Sequence, residues 1–309
     1  MPGTFPAAPP VLTGDSLAIS RFLNSPTAIN RRLRDYKDLR FIADQVLTGR
    51  FRSQGGAVLY EMSEPFISDR TVEAVSAGSE YPYANLPTGT AAVAAISKWG
   101  QKVLLTDEEI ARNAYGQAAI DRSLRKVVNS IIKQVDAVAM SAVAAAITAT
   151  AGATVLWETV ATAKPLTDIL LAISKIRELN LGYEPDTILL SDKAYVYLMV
   201  NPDVALLRKR EASENPVYTG EIETIAGLKV LVSPNLPAAT VATVLDSKAL
   251  GGMADEMDGA PGYSIADLAV QVKSIRKDSQ DAWDLQGRRK TVPFVQEPGA
   301  GYEITGVVT

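Results

Sequence analysis

The sequence predicts an α+β protein, and three observations carry that prediction. Residues 50–97 form a long segment without the apolar density of a core, the next segment has the pattern of one helix of about 40 residues, and residues 265–309 have strand composition. The chain has 309 residues, enough for about two domains. Hydrophobic residues make up 47% and charged residues 21%, as in folded globular proteins.

The chain contains no cysteine and no histidine. Disulfides, thiolate nucleophiles and Cys-ligated metal sites are therefore excluded, as are the Ser-His-Asp triad and imidazole metal sites. Only enzyme mechanisms that use Asp, Glu, Lys, Ser or Tyr remain. With 31 basic and 35 acidic residues the net charge is −4, which disfavours broad nucleic-acid binding by a basic surface but allows the chain to enclose nucleic acid.

The remaining chemical motifs do not predict catalysis. Ser-x-x-Lys occurs at Ser123/Lys126 and at Ser274/Lys277, but the companion Ser-Asp-Asn and Lys-Thr-Gly elements are missing, and Ser274 lies in a predicted strand. No Walker or Gly-x-Gly-x-x-Gly loop occurs. The acidic residues at 255, 256 and 258 lack EF-hand spacing and are predicted to lie in an exposed loop. We predict no catalytic, metal or cofactor-binding residue.

The N-terminal segment divides into an arm and a helix. Residues 1–29 carry five prolines, with no basic residue ahead of Arg21, which does not fit a signal peptide. This arm is either a frayed terminus or a strap that lies on a neighbouring subunit. Residues 30–47 have helical spacing with a basic outer face, and Gly49 is predicted to end that helix.

The segment from 50 to 97 contains short β-favouring pieces at 57–60 and 71–72 between glycines and prolines. A loop of this length in a compact domain is uncommon and usually functional. We predict a projecting β-hairpin whose missing burial comes from another chain.

A strand over residues 98–105 is predicted to lead into a spine helix at 107–148. Thr106 is the expected N-cap and Glu109 its capping-box partner. The uncharged run at 137–157 is rich in alanine, too weakly apolar for a membrane span, and predicts a close-packed helix end.

The rest of the chain alternates helix and strand. Pro165 is predicted to begin a helix whose apolar face holds Leu170 and Leu179 and which stops near Gly182. A buried strand at 187–190 is followed by a short helix capped by Ser191 or Asp192. Further strands are predicted at 227–233, 241–245, 265–275, 282–294 and 302–308, with a turn near residues 277–280.

This order of elements resembles the major capsid proteins of tailed bacteriophages, which share the Hong Kong 97 fold with encapsulins. Local phrases agree with the resemblance: Tyr81-Pro82 followed by Lys98-Trp99-Gly100 and Thr106-Asp107-Glu108-Glu109; residues 188–195 (Ile-Leu-Leu-Ser-Asp-Lys-Ala-Tyr); and residues 225–233 (Ile-Ala-Gly-Leu-Lys-Val-Leu-Val-Ser) with Leu236-Pro237. The resemblance covers nearly the whole chain.

The resemblance implies a Hong Kong 97-like layout of four parts. They are an N-terminal arm and basic helix (1–48), an extended loop (49–97), a peripheral domain (98–151 and 263–298) with the spine helix at 107–148, and an axial domain (152–262 and 299–309). It implies a structural protein, not an enzyme, that assembles as hexamers and pentamers into an icosahedral shell around phage double-stranded DNA.

Cross-linking members of that family use a lysine in the extended loop, but residues 50–97 contain no lysine. We therefore expect a shell without covalent cross-links. Arg50, Arg52 and Arg70 are the basic groups there, and they are either inter-subunit contacts or ordinary surface arginines.

Further partners follow from the resemblance. The chain starts directly at the arm, so we expect a separate scaffolding protein, together with a portal and decoration proteins, no membrane, no cofactor, and assembly in the host bacterial cytoplasm. An encapsulin-like compartment holding a cargo enzyme is the alternative, and a carboxylate- or lysine-based enzyme is a third hypothesis.

Overall fold

The computed structural model describes residues 41–65, 67–112, 116–206, 222–257, 261–265 and 269–309. Two compact units divide them. The first contains the described residues of 99–131 and 258–289, and the second those of 40–98, 132–257 and 290–309. The predicted arm, and residues 30–40 of the predicted basic helix, lie outside the described residues.

The first unit combines the start of the spine helix with an antiparallel sheet. Its elements are β4 (Ser97–Thr106), α2 (Asp107–Arg112), the first part of α3 (Gly116–Ala146), β11 (Ser264–Ile265), β12 (Gln271–Lys277) and the first part of β13 (Ala282–Val295). β13 pairs with β12 on one side, from Lys277 opposite Ala282 to Gln271 opposite Arg288, and with β4 on the other.

Gly287 of β13 lets α3 pack closely on this sheet. A Cβ atom at Gly287 would lie 2.8 Å from Cγ1 of Val127 and 3.1 Å from Cδ1 of Ile131. The predicted strand over 98–105 is confirmed, as are the turn near 277–280 and the placement of Ser274 in a strand. Thr106 is confirmed as the N-cap, because its hydroxyl accepts the Glu109 amide at 3.2 Å.

The predicted spine helix corresponds to α2 and α3, and residues 113–115 lie outside the described residues. One side of α3 is buried: Ile120, Leu124, Val127, Val128, Ile131, Ile132, Val135, Ala139, Met140 and Val143. Val138 and Ala142, which continue the helical spacing of these apolar residues in the sequence, are only half-buried.

Within the described residues one helical stretch, Ile120–Ala146, is long and apolar enough to cross a membrane, and half of its most apolar window is buried in the protein. Core helices of folded proteins pass the same test of length and composition.

The prediction of a close-packed helix end in the uncharged run at 137–157 is confirmed as far as Ala146 and wrong beyond it. α3 ends at Ala146, and β5 (Thr150–Gly152) then pairs with β14 (Gly301–Thr305) in parallel. Trp157 is fully buried beyond it. The buried Asp168 carboxylate accepts Trp157 Nε1 at 3.1 Å and the Thr154 amide at 3.2 Å, which fixes this turn without helical hydrogen bonds.

The second unit is built on a six-stranded sheet with the order β5-β14-β9-β6-β8-β7. Its remaining strands are β6 (Thr187–Leu190), β7 (Thr224–Ile225), β8 (Leu228–Val232) and β9 (Ala242–Leu245), and its helices are α4 (Pro165–Glu178), α5 (Asp192–Val200) and α6 (Pro202–Leu206). β6 is buried throughout and parallel to β8. Ser191 is the N-cap of α5, since its hydroxyl accepts the Ala194 amide.

The buried apolar face of α4 contains fewer of the predicted residues than the sequence indicates. Ile169, Ile173 and Ile176 are buried, but Leu170 and Leu179 are about half exposed. Ala172 is buried in their place, because a helix on one side of a sheet buries only the stripe that meets the sheet.

A second group of strands in this unit carries the extended loop. β1 (Gly49–Arg52) pairs in parallel with β10 (Gly251–Asp255), which pairs antiparallel with residues 291–295 of β13. Gly49 therefore begins a strand and does not end a helix, and the helix prediction was wrong there. α1 (Ala43–Val46) ends earlier, and a Cβ at Gly49 would lie 2.9 Å from the Gly251 carbonyl oxygen, so the close approach of β1 to β10 requires glycine.

The predicted exposed acidic loop is also corrected in part. Asp255 belongs to β10 and is buried, with Arg50 Nη1 at 3.6 Å, and Glu256 is half-buried with Lys290 Nζ at 3.7 Å. Asp258 and Gly259 lie outside the described residues.

Asp136 of α3 holds the start of α1, directly ahead of β1. Its buried carboxylate accepts the Ala43 amide at 3.1 Å and the Ile42 amide at 3.3 Å. Substitution Asp136→Ala leaves these amides without their acceptor and is expected to lower the free energy of unfolding by about 3 kcal/mol. Urea unfolding of the unassembled subunit measures the loss.

The control for this prediction is Asp136→Asn, which keeps one amide oxygen as an acceptor and should lose less. An Asp136→Ala chain as stable as the parent would contradict the role of this carboxylate.

Candidate assembly surface

The extended loop contains a two-stranded hairpin. β2 (Ala57–Met62) pairs antiparallel with β3 (Thr90–Ala95), which confirms the predicted hairpin and the β-favouring piece at 57–60. Its two faces differ. Val58, Tyr60 and Met62 are half-buried, whereas Leu59 and its cross-strand partner Val93 are largely exposed. The hairpin therefore presents an apolar pair to its surroundings.

The segment between the two strands, residues 63–89, has no helix or strand among its described residues. The piece at 71–72, predicted as β-favouring, is not a strand. Asp69 and Asn85 close the segment, because the Asn85 amide donates to Asp69 Oδ1 at 2.9 Å. Beyond that closure lie Val72, Tyr81 and Tyr83, with exposures of 100%, 80% and 87%.

The root of the loop is fixed by residues 294–297 at the end of β13. The Phe294 ring lies 5.2 Å from the Phe51 ring and 5.0 Å from the Tyr60 ring, between centroids. The Ser63 amide donates to the Gln296 carbonyl at 2.9 Å. One side of the loop is thus joined to a strand distant in sequence.

Glu297 connects this root to residue 183. Its Oε1 accepts the Glu64 amide at 3.2 Å, and its Oε2 accepts the Tyr183 hydroxyl at 2.8 Å. Burial, and then the nearby Glu297 carboxylate, raises the pKa of the Tyr183 hydroxyl, so Tyr183 remains a proton donor at ordinary pH. No sequence motif marks Glu297 for this role.

The three predicted arginines do not lie in one cluster. Arg50 and Arg52 are exposed on β1, and Arg50 Nη2 lies 2.8 Å from Asp44. Arg70 lies at the closed end of the loop and pairs with Glu73 at 3.0 Å. The Arg70–Glu73 pair is exposed on both sides and contributes little to stability, whereas Asp44, the partner of Arg50, is half-buried. Inter-subunit contact by any of the three stays a prediction.

Another ionic cluster, in the first unit, was missed by sequence analysis. Arg276 forms a bidentate pair with Asp107 at 2.6 and 2.7 Å, with Asp278 at 3.2 Å and the Trp283 ring nearby. The hydrogen bond from Arg276 holds the pKa of the Asp107 carboxyl below its usual value. This cluster joins the start of α2 to the β12–β13 turn and has a structural role.

The lysines of the two Ser-x-x-Lys motifs lie in different surroundings. Lys277 lies 3.0 Å from the buried carboxylate of Asp284, which also has Lys102 Nζ at 3.6 Å. Lys126 is exposed on α3. No group of three or more His, Cys, Asp or Glu residues that could hold a metal ion occurs in the described part of the chain.

Comparison with known proteins decides the family. A family model described as "Phage capsid protein" matches residues 89–304, more than half of the chain. The chain belongs to this phage capsid protein family. No curated protein matches the sequence.

Solved structures show the same fold at low sequence identity. A chain of Mycobacterium phage Che8 has a TM-score of 0.59 and 10% identity, covering 99% of this chain and 100% of that one. The capsid of cyanophage P-SCSP1u has a TM-score of 0.58 and 17% identity, covering 84% and 86%. A virus-like particle from Pyrococcus furiosus has a TM-score of 0.56 and 12% identity, covering 89% and 97%.

The predicted fold class and family are confirmed. The chain is a phage capsid protein with the Hong Kong 97-like α+β fold of these structures, and members of its family are structural components of the virion capsid and not enzymes. Its candidate functional site is accordingly an assembly surface, and among the described residues the extended loop carries the most exposed apolar side chains.

The Glu297 contacts generate a prediction about the loop root. Glu297→Ala removes the acceptor of the Glu64 amide, so that amide is expected to exchange with solvent several-fold faster. Hydrogen–deuterium exchange of the unassembled subunit, resolved to the residues around 64, measures this.

Tyr183→Phe is the matched control, because it removes the second hydrogen bond of Glu297 and leaves the bond to the Glu64 amide. Unchanged exchange at residue 64 in the Glu297→Ala chain would show that this carboxylate does not hold the loop.

Proposed function

We propose that this capsid protein assembles as hexamers and pentamers into a shell that encloses double-stranded DNA, and that the extended loop lies over a neighbouring subunit. The observation that carries the proposal is the set of exposed apolar side chains between Asp69 and Asn85 and on the hairpin. Together with the family match, this surface supports a subunit that is completed by its neighbours.

Exposed tyrosines of this kind are typical of interfaces. Tyrosine buries a large area at a small cost in side-chain entropy, and aromatic residues are enriched among the residues that dominate binding energy. Val72, Tyr81 and Tyr83 have no apolar cover within the described residues of their own chain. A second copy of the chain is the partner that a shell of identical subunits supplies.

The proposal keeps the four-part domain layout that the resemblance implies. The arm (1–48) and the extended loop (49–97) reach neighbours, the peripheral domain (98–151 and 263–298) carries the spine helix, and the axial domain (152–262 and 299–309) lies around the capsomer axis. Arg50, Arg52 and Arg70 are proposed to meet carboxylates of adjacent subunits, where a planar guanidinium forms bidentate pairs.

The net charge of the chain is compatible with a shell that encloses DNA. A net charge of −4 lets the shell confine a polyanion without gripping it over its whole inner surface. The Pyrococcus furiosus particle has the same fold, so the fold leaves the compartment alternative open, and the phage capsid family match favours the phage head. A scaffolding protein, a portal, decoration proteins and assembly in the host cytoplasm remain predictions.

Assembly of the purified chain tests the proposal. With the scaffolding protein supplied, sedimentation and electron microscopy should show hexamers, pentamers and closed shells. Tyr81→Ser/Tyr83→Ser should raise the protein concentration needed for assembly, by about thirtyfold for each contact worth about 2 kcal/mol. The cause is the loss of aromatic surface that a neighbour buries.

Tyr81→Phe/Tyr83→Phe is the matched control, because it keeps both rings and should assemble nearly as the parent does. A chain that stays monomeric with scaffold present would overturn the shell. Normal assembly of the serine variant would overturn the role of the loop tip alone.

A separate prediction concerns covalent joining. Residues 50–97 offer no lysine amine for an isopeptide bond to a neighbouring asparagine, so boiled virions on a denaturing gel should give a single capsid band at the mass of one chain. Virions of a cross-linking phage of the same fold serve as the positive control. A ladder of covalent multimers would contradict the proposal.

A further inference from the structure

We propose that the spine helix carries a contact surface for the phosphate backbone of packaged DNA. The surface is the basic stripe, defined here as Arg122 and Lys126 on α3. It rests on the proposed function, since it presumes that the shell encloses DNA.

The exposed charges of α3 between residues 122 and 133 have one sign, and the acidic neighbour Asp121 is half-buried. The exposed charged residues between 122 and 133 are Arg122, Arg125, Lys126 and Lys133, and all are basic, although the chain as a whole is acidic. Arg122 and Lys126 are one turn apart, about 6 Å along the axis. No carboxylate among the described residues pairs with either side chain.

The opposite side of the helix fixes the stripe in place. Leu124, Val127 and Val128 are buried, and Gly287 admits Val127 and Ile131 close to the sheet of the first unit. Because the apolar side of α3 is committed to the core, rotation of the helix cannot bury the basic side chains. The stripe is therefore a rigid, outward-facing row of cations.

The residues around the stripe favour a polyanion over a protein partner. Ser130 is exposed and its hydroxyl donates to the Lys126 carbonyl at 2.9 Å, and no exposed apolar residue lies between 122 and 134. A peptide that docks on a helix needs apolar anchors, which this side does not offer. Phosphates need only Lys and Arg.

The same residues predict binding without sequence preference. The segment from 122 to 134 has no aromatic side chain on which a base could stack. Contacts limited to phosphate carry no sequence information and weaken as salt rises. Such contacts suit a shell that holds any sequence and later releases it.

Lysine acetylation of virions tests this surface. A small acetylating reagent is applied to DNA-filled particles and to particles emptied of DNA, and mass spectrometry measures acetylation at Lys126. We expect several-fold lower acetylation in filled particles. Lys248, an exposed lysine outside the stripe, is the internal control and should react equally in both.

Two outcomes would overturn the proposal. Equal, high acetylation of Lys126 in both particles would place the stripe away from DNA, and equal protection in both would show that another protein surface covers it. Either result leaves the proposed shell unaffected, whereas shells that never contain DNA would refute the proposed function itself.

A variant pair provides a second measurement. Arg122→Gln/Lys126→Gln should assemble normally, and its filled particles should release DNA at a lower temperature and with a weaker dependence on salt. Arg177→Gln/Lys248→Gln removes one exposed arginine and one exposed lysine elsewhere and should behave as the parent does. Identical release from both variants would argue against the stripe.

Discussion

The attachment of the extended loop to residues 294–297 is the interaction on which the assembly surface depends. Phe294 packs against Phe51 and Tyr60, Gln296 accepts the Ser63 amide, and Glu297 accepts the Glu64 amide. A two-stranded hairpin is only marginally stable alone in water. These contacts supply the missing support at one end and leave the other end available to a partner.

Close packing of strands makes that attachment possible. β1 approaches β10 at Gly49 and Gly252, where a Cβ atom would meet backbone atoms of the opposite strand, and a Cβ atom at Gly251 would meet the Phe294 carbonyl oxygen of β13. β10 in turn pairs with residues 291–295 of β13, directly ahead of the root. β13 also pairs with β12 and β4 in the first unit. A single strand of 14 residues thus contributes to both compact units and to the loop.

Buried carboxylates stabilise the fold of this protein, and the most exposed apolar side chains of the described residues lie in the extended loop. The buried carboxylates of Asp136, Asp168 and Asp284 each accept hydrogen bonds or ion pairs from their own chain. Buried charge of this kind is tolerated only when it is paired. The exposed apolar side chains of the extended loop have no such compensation within the described residues, which is why we propose that a neighbouring subunit covers them.

Sequence alone determined the elements whose signal is local. The cap at Thr106, the buried strand at 187–190, the hairpin and the turn at 277–280 follow from neighbouring residues, and the order of these elements was sufficient to predict the family. The tertiary structure decided what depends on residues far apart in sequence. The local sequence predicts that Gly49 ends a helix, because its pairing with β10 involves residues about 200 positions away. It likewise predicts that Asp255 is solvated, because Arg50 is equally distant in sequence. Glu297 carries no local signal, because its partners are at 64 and 183. Only the folded chain brings them within hydrogen-bonding distance.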